Sequence, residues 1–286
     1  MAVSRPVLKI VRDVVSLRRC MQGLRSSNQM IAFVPTMGAL HAGHMALVER
    51  AKALADKVVV SIFVNPTQFG PDEDLAAYPH QGSKDRALLA AADVDLLYMP
   101  DALAMYPEHF QTEVRVSDVS QGLCGAHRAG HFDGVATVVT KLLLQVLPDM
   151  ALFGEKDFQQ LTVIKRLVAD LDIPVGIIGV LTVREDDGLA LSSRNAYLTE
   201  DERVVAPSLH RELIAVAIDI ANGADIKARC ARAVDDLLGA GFATVDYVEA
   251  REAITLSPLA GHGPEARVLA SALIGAARLI DNVPVP

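Results

Sequence analysis

The chain has 286 residues, 51% hydrophobic and 22% charged, which suits a substantial core in one large domain or, more naturally, two. A formal net charge of −8 excludes a broad nucleic-acid surface, so any phosphate ligand has to be held by a local cluster of positive groups. Three scattered cysteines (Cys20, Cys124 and Cys230) with no C-x-x-C argue against a disulfide framework or a zinc site. With no signal-like opening and no apolar run of bilayer length, they lead to the expectation of a cytoplasmic protein without a membrane partner.

In chain order, residues 14–24 have a helical pattern and residues 30–34 form a short apolar strand. Residues 35–44, Pro-Thr-Met-Gly-Ala-Leu-His-Ala-Gly-His, follow that strand and precede an amphipathic run over 45–57 read as a helix. Residues 57–64 are continuously apolar and β-branched, as in a strand covered on both faces of a parallel sheet. Residues 65–74 hold two prolines, a glycine and several acids and are read as a loop. A helix is expected over 85–92, a strand over 94–99, another strand at 112–116 and a glycine-rich loop over 122–131. Asp133 is the expected N-cap of a helix running to Leu147, stopped by Pro148. A strand at 150–153, a turn at 154–157, a helix to 171 and a strand at 175–180 complete an alternating pattern, which indicates a doubly wound α/β sheet. Beyond 184 come a polar loop to 195, helices over 201–221 and 225–239, and antiparallel strands over 244–249, 268–274 and 277–283. The expected division is a Rossmann-like domain over 1–184 and a smaller α+β domain over 185–286.

The chemistry-bearing residues cluster after strands. Gly38 and Gly43 allow a tight turn and close backbone approach, and His41 and His44 lie three apart at a helix mouth. Helix N-termini favour anions, so the pair suggests a polyphosphate cradle, although the same residues also suit a turn whose histidines cap and pack. Asn65 and Gln68 can each donate and accept, which fits a small hydroxy acid, or they serve ordinary turn chemistry. Lys156 opposes the dipole at a helix start unless an anion binds there, whereas Asp157 is a routine N-cap and Gln159 and Gln160 can be polar surface. Ser192, Ser193 and Arg194 combine hydroxyls with a guanidinium fork, a phosphate-binding set that is also common in surface loops. His127, Arg128 and His131 form a possible second basic cluster, and His80, His109, His210 and His262 are read as surface residues. Neither a P-loop nor a dinucleotide fingerprint is present, and there is no G-x-S-x-G elbow. Ligands of doubly wound sheets bind outside the C-terminal strand ends, where the turns after 34, 64 and 153 could share a crevice.

Four blocks in order, Pro35-Thr-Met-Gly-Ala-Leu-His-Ala-Gly-His44, Val64-Asn-Pro-Thr-Gln-Phe69, Phe153-Gly-Glu-Lys-Asp-Phe-Gln-Gln160 and Leu191-Ser-Ser-Arg-Asn195, together with the late Asp281-Asn282, resemble the pantothenate synthetase (pantoate–β-alanine ligase) family. That family belongs to the H-x-G-H nucleotidyltransferases. The resemblance implies ATP-dependent condensation of pantoate with β-alanine through pantoyl adenylate, with magnesium as counter-ion and a homodimeric assembly. It implies catalytic roles for His41, His44, Lys156 and Arg194. ATP would be held by Met37, Gly38, Ala39, Leu40, His41, Ala42, Gly43 and His44, by Gly154, Glu155, Lys156 and Asp157, and by Val183, Leu191, Ser192, Ser193 and Arg194. Pantoate and β-alanine would be held by Asn65, Gln68 and Gln160, and residues 185–195 would act as a lid.

Thr67 stands where a methionine is common in the family, Ala129 where a proline often stands, and the acidic cluster near residues 83–85 is reduced to Asp85, the magnesium candidate. Two other readings are a related adenylyltransferase acting on a phosphorylated metabolite, and a nucleotide sensor without turnover. The first would ignore β-alanine, and the second has no need of acyl-acceptor groups such as Gln68.

Overall fold

The computed structural model describes residues 8–26, 28–70, 75, 78, 81–259, 261 and 265–286. His80, His262 and the acids of the 71–74 stretch lie outside the described residues. The chain divides into two compact units: Met1–Val116, Gly130–Glu155 and Val163–Leu181 form the first, and Ser117–Ala129, Lys156–Thr162 and Thr182–Pro286 the second.

The first unit is built on a parallel sheet with helices, the doubly wound α/β architecture expected. In chain order it runs β1 (Lys9–Val11), α1 (Val14–Arg25), β2 (Ile31–Thr36), α2 (Ala42–Leu54), β3 (Lys57–Ile62), α3 (Gly82–Ala91), β4 (Leu96–Tyr98) and the short α4 (Ala102–Met105). After α5 (Leu123–His127) of the second unit come α6 (His131–Val146), β5 (Met150–Gly154), α7 (Phe158–Asp170), which belongs to this unit from Val163 on, and β6 (Gly176–Val180). The strand order is β1-β4-β3-β2-β5-β6, with every pairing parallel. The chain leaves β2 for β3 and β4 on one side, then crosses back to β5 and β6 on the other. The order therefore reverses at β2, where open α/β sheets bind ligands.

Burial on both faces explains the apolar strands. Ala32 and Val34 of β2 and Val58 and Val60 of β3 pack with Leu47, Val48 and Ala51 of α2 and Leu89 of α3. Alternation turns Ile31 and Phe33 to the opposite face, and both are buried as well. Burying one such side chain contributes about 1.5–3 kcal/mol.

The second unit contains α8 (Glu200–Val205), α9 (Ser208–Ala221), α10 (Ile226–Ala240) and the antiparallel sheet of β7 (Thr244–Glu252), β8 (Ala266–Ile274) and β9 (Ala277–Pro284). Leu209, Leu213 and Val216 of α9 and Ala233 and Leu237 of α10 cover Val248, Val268, Ala270 and Leu279 of the sheet. Among the described residues, no helix is long and apolar enough to cross a membrane.

Several elements differ from the sequence expectation. Residues 112–116 form no strand; the Val114 amide donates to Thr137 Oγ1 on α6 at 2.9 Å instead of to a sheet. The 122–131 loop contains α5. Helix α6 starts at His131 after a left-handed Gly130 (φ +75°), so Asp133 lies in its first turn and is not the cap. The expected helix over 201–221 is two, because Pro207 has no amide to continue the ladder. Helix α2 begins three residues earlier than its amphipathic pattern, because His41 itself caps it.

Candidate active site

The loop after β2 is built on two consecutive left-handed residues, Gly38 (φ +87°) and Ala39 (φ +50°). Such a conformation costs an alanine roughly 1–2 kcal/mol, so something must hold it. Asp85, on the first turn of α3 and only 1% exposed, does so. Its Oδ2 accepts the Ala39 amide at 3.0 Å and its Oδ1 the Leu40 amide at 2.9 Å. Gly38 is required by space as well as by φ, since a Cβ there would stand 3.1 Å from both Asp85 Oδ2 and Ile62 Cγ2.

The turn delivers His41 to the N-cap of α2. His41 Nδ1 accepts the Gly43 amide at 3.2 Å, and His44 Nδ1 accepts the His41 amide at 3.3 Å, a capping box made of two imidazoles. The rings lie 4.2 Å apart, tilted by 54°. With each Nδ1 used as an acceptor, the ring proton sits on Nε2, so both rings can present an Nε2–H donor to an anion at the helix mouth.

The loop after β3 is a single 3-10 turn, Pro66–Gln68, capped by Asn65. Asn65, 1% exposed, donates to the Gln68 side-chain oxygen at 3.1 Å and to the Gly134 carbonyl at 3.2 Å, and its own oxygen accepts from Tyr106 Oη at 2.7 Å and from Thr67 Oγ1 at 3.0 Å. Asn65 is therefore chiefly the keystone of the loop. Gln68 Nε2 lies 3.2 Å from Met37 Sδ, which joins this loop to the one after β2. The Gln68 carbonyl lies 2.8 Å from His131 Nδ1 at the start of α6. Burial pushes the Tyr106 phenol above its ordinary range and keeps it a neutral donor.

Gly154 and Glu155 are half-buried at the end of β5 in the first unit. Lys156, Asp157 and Gln160 belong to the second. Lys156 Nζ stands 4.0 Å from Asp157 Oδ1, and the Lys156 carbonyl accepts from Asn282 Nδ2 of β9 at 3.0 Å. Asn282 is gripped by Arg267, whose guanidinium lies over the Phe158 ring. Gln160 is half-buried, but Gln159 is not polar surface: its amide nitrogen donates to the carbonyls of Val119, Gln121 and Gly122, and its oxygen accepts the Cys124 amide.

Residues 183–191 form a hydrogen-bonded ribbon. The Leu191 amide donates to the Val183 carbonyl, and Arg184 bridges to Ala190. Ser192 then caps a 3-10 turn over Ser193–Tyr197, accepting the Arg194 amide. The ribbon is moored by Arg184, which makes a two-pronged contact to Asp281 at 2.6 and 2.9 Å. His210, expected on the surface, is largely covered, with Nδ1 3.3 Å from Asp281 Oδ2. Burial alone would raise the Asp281 pKa, but His210 and Arg184 outweigh it and hold the carboxyl below its usual value. A small depression within this unit is lined by Lys156, Ser192, Asn195, His210 and Asp281, among others.

The matching of this chain with known proteins covers nearly its whole length. The family model described as pantoate-beta-alanine ligase matches residues 9–284. The chain belongs to the pantoate–β-alanine ligase family. A pantothenate synthetase of Paramagnetospirillum magneticum is 57% identical over 276 residues, 96% of this chain and 97% of that protein. One from Rhodospirillum rubrum is 52% identical, with 97% and 99% covered. Among solved structures, pantothenate synthetase from Thermus thermophilus superposes with a TM-score of 0.91 at 47% identity, covering 97% of this chain and 99% of that one. The pantoate-β-alanine ligase of Francisella tularensis, solved with β,γ-ATP and β-alanine, gives a TM-score of 0.82 at 35% identity, with 97% of both chains covered.

For this ligase, sequence reading found the strand-end motifs and missed most of what holds them. Asp85, Tyr106, His131, Gln159, Arg184, His210 and Asn282 all make contacts distant in sequence; Tyr106 and Arg184 had drawn no notice, and Gln159 and His210 had been read as surface residues. Of the basic residues His127, Arg128 and His131, His127 Nδ1 lies 3.8 Å from Asp246 Oδ1 and His131 Nδ1 lies 2.8 Å from the Gln68 carbonyl oxygen. Among the described residues, no group of three His, Cys, Asp or Glu side chains could hold a metal ion. Both oxygens of Asp85 are already engaged by amides, so this donor set does not fit a protein-held magnesium ion.

Proposed function

We infer that this protein joins pantoate to β-alanine at the expense of ATP, giving pantothenate, AMP and pyrophosphate. In the first step a pantoate carboxylate oxygen attacks the α-phosphorus and the bond to pyrophosphate breaks, leaving pantoyl adenylate. In the second the β-alanine amine attacks the acyl carbon, loses a proton and expels AMP. The observation that carries the reading is the pair of imidazoles capping α2 at the strand where sheet order reverses, in a chain matched by the ligase family over residues 9–284.

The roles follow from the chemistry of each group. His41 and His44 direct Nε2–H donors at phosphate oxygens, with His41 as proton donor, and the backbone of residues 37–44 follows the nucleotide phosphates. Gln68 and Gln160 hold pantoate, with Asn65 fixing the Gln68 side chain, and Gln68 also meets β-alanine. Lys156 and Arg194 neutralise the charge that builds on pyrophosphate, with Ser192 and Ser193 as hydroxyl donors. Gly154, Glu155, Asp157, Val183 and Leu191 complete the nucleotide contacts. No covalent enzyme intermediate is required, since positioning and charge stabilisation supply the acceleration. Magnesium accompanies ATP on the phosphate oxygens in this reading, and no step is assigned to a protein-bound metal. The reading also carries a cytoplasmic homodimer, checked by light scattering of the purified protein and by fractionation.

The deciding experiment is exchange of labelled pyrophosphate into ATP. Exchange that needs pantoate but not β-alanine is expected. A strict requirement for β-alanine would overturn the adenylate mechanism, and AMP transfer to a phosphorylated metabolite with no use of β-alanine would replace the ligase reading.

A further inference from the structure

We propose that Asp85 is a positioning residue whose carboxylate locks residues 38–40 in their left-handed turn and thereby sets the two histidines for ATP. The inference rests on the reading of residues 37–44 as the nucleotide-phosphate loop. It gives Asp85 a role through that loop instead of through a metal ion. Asp85 is 46 residues from Ala39 in sequence and spends one oxygen on the Ala39 amide and the other on the Leu40 amide. These are charge-assisted hydrogen bonds in a buried setting, the strong class. The amides they fix belong to a left-handed alanine and to the residue before the N-cap, so the strained turn and the start of α2 depend on one side chain.

The placement is otherwise unfavourable. A carboxylate under an anion-binding loop repels the anion, so simple electrostatics gives Asp85 a harmful effect on ATP binding. A metal ligand would need oxygen lone pairs aimed at open space, whereas this group is 1% exposed. Holding the turn is the function that uses both oxygens as they stand.

Asp85→Asn keeps the shape and one acceptor but turns an amide N–H toward a backbone N–H, and Asp85→Ala removes both acceptors. Three measurements separate the possibilities. First, titration with β,γ-methylene ATP: loop positioning predicts binding weakened roughly 10- to 100-fold in both variants, while removal of a repelling charge predicts tighter binding. Second, steady-state kinetics: KM for ATP is expected to rise with KM for β-alanine and the half-saturating Mg2+ concentration unchanged. A proportional rise in the Mg2+ requirement, with ATP affinity recovered at saturating Mg2+, would make Asp85 a metal ligand and overturn the proposal. Third, amide ¹H–¹⁵N signals of Ala39 and Leu40 and ring-nitrogen signals of His41 and His44, read below the melting transition of each variant. Displacement of all four is expected; unchanged signals would also overturn the proposal. The nucleotide titration and the resonances require no turnover, so they test Asp85 even if wild-type protein shows no pantoate-dependent exchange, a failure that would fall on the proposed function alone.

Discussion

Replacing Gly134 with alanine would place a methyl carbon 2.4 Å from the Thr67 carbonyl oxygen, 2.6 Å from its carbon and 2.7 Å from the Gln68 nitrogen. All three are backbone atoms, so no side chain can swing away. Ordinary carbon–oxygen contact is about 3.5 Å, so α6 and the Asn65–Gln68 turn must separate by about 1 Å. Overpacking of that kind costs about 1–3 kcal/mol. The same movement stretches the bond from Asn65 Nδ2 to the Gly134 carbonyl and the contact of His131 with the Gln68 carbonyl, each worth about 0.5–1.5 kcal/mol. The sum is a destabilisation of about 2–6 kcal/mol, readable in urea or thermal unfolding. The kinetic effect should be larger than the stability loss suggests, because displacing a positioned group by about 1 Å can lower rate on the order of 100-fold. Gly134→Ala is therefore expected to raise KM for pantoate and lower kcat, with ATP-analogue affinity close to wild type. Unfolding within about 0.5 kcal/mol of wild type, together with an unchanged KM for pantoate, would refute the claim that close approach of α6 sets the Gln68 turn.

Four further substitutions test other parts of the machinery. His44→Ala and Lys156→Ala should leave folded protein that loses several orders of magnitude in pantoate-dependent pyrophosphate exchange; near-normal exchange in either rejects its role. Asn282→Leu leaves the Lys156 carbonyl without the donor it has at 3.0 Å, and is expected to cost about 1–3 kcal/mol and to slow the first half-reaction more than the second, as followed by single-turnover release of pyrophosphate and of AMP. Asp281 has a folded-state pKa below the usual carboxylate value, so its ionised form stabilises the fold fully above that value, and the contribution is lost as pH falls through the folded-state pKa. Asp281→Asn should accordingly be less stable at neutral pH and show a shallower loss of stability below about pH 4; an unaltered acid limb would count against this assignment.

Local chemistry made some of the protein readable without coordinates. Continuous β-branched runs such as Val58–Val60 can only be satisfied by cover on both faces, which is why a parallel sheet was legible. The strand–glycine turn–helix grammar around His41 and His44 placed them at a helix mouth. The 112–116 stretch shows the limit of such reading: it alternates like a strand, yet its Val114 amide is satisfied by a threonine hydroxyl on α6, a partner that only the folded chain supplies. His131 is similar, since nothing in a Gly-His-Phe run announces a contact with a carbonyl 63 residues away.

The sequence by itself determined the alternating architecture and the residue types able to handle phosphate, because both follow from periodicity and functional groups within a few residues. Tertiary structure alone decided which of those groups are held and by what. The left-handed turn before His41 depends on Asp85 of α3, the Gln68 turn on Gly134 of α6, and Lys156 on Asn282 of β9. Each is a hydrogen bond or close approach between segments far apart in the chain, and buried polar groups must find such partners wherever the fold provides them.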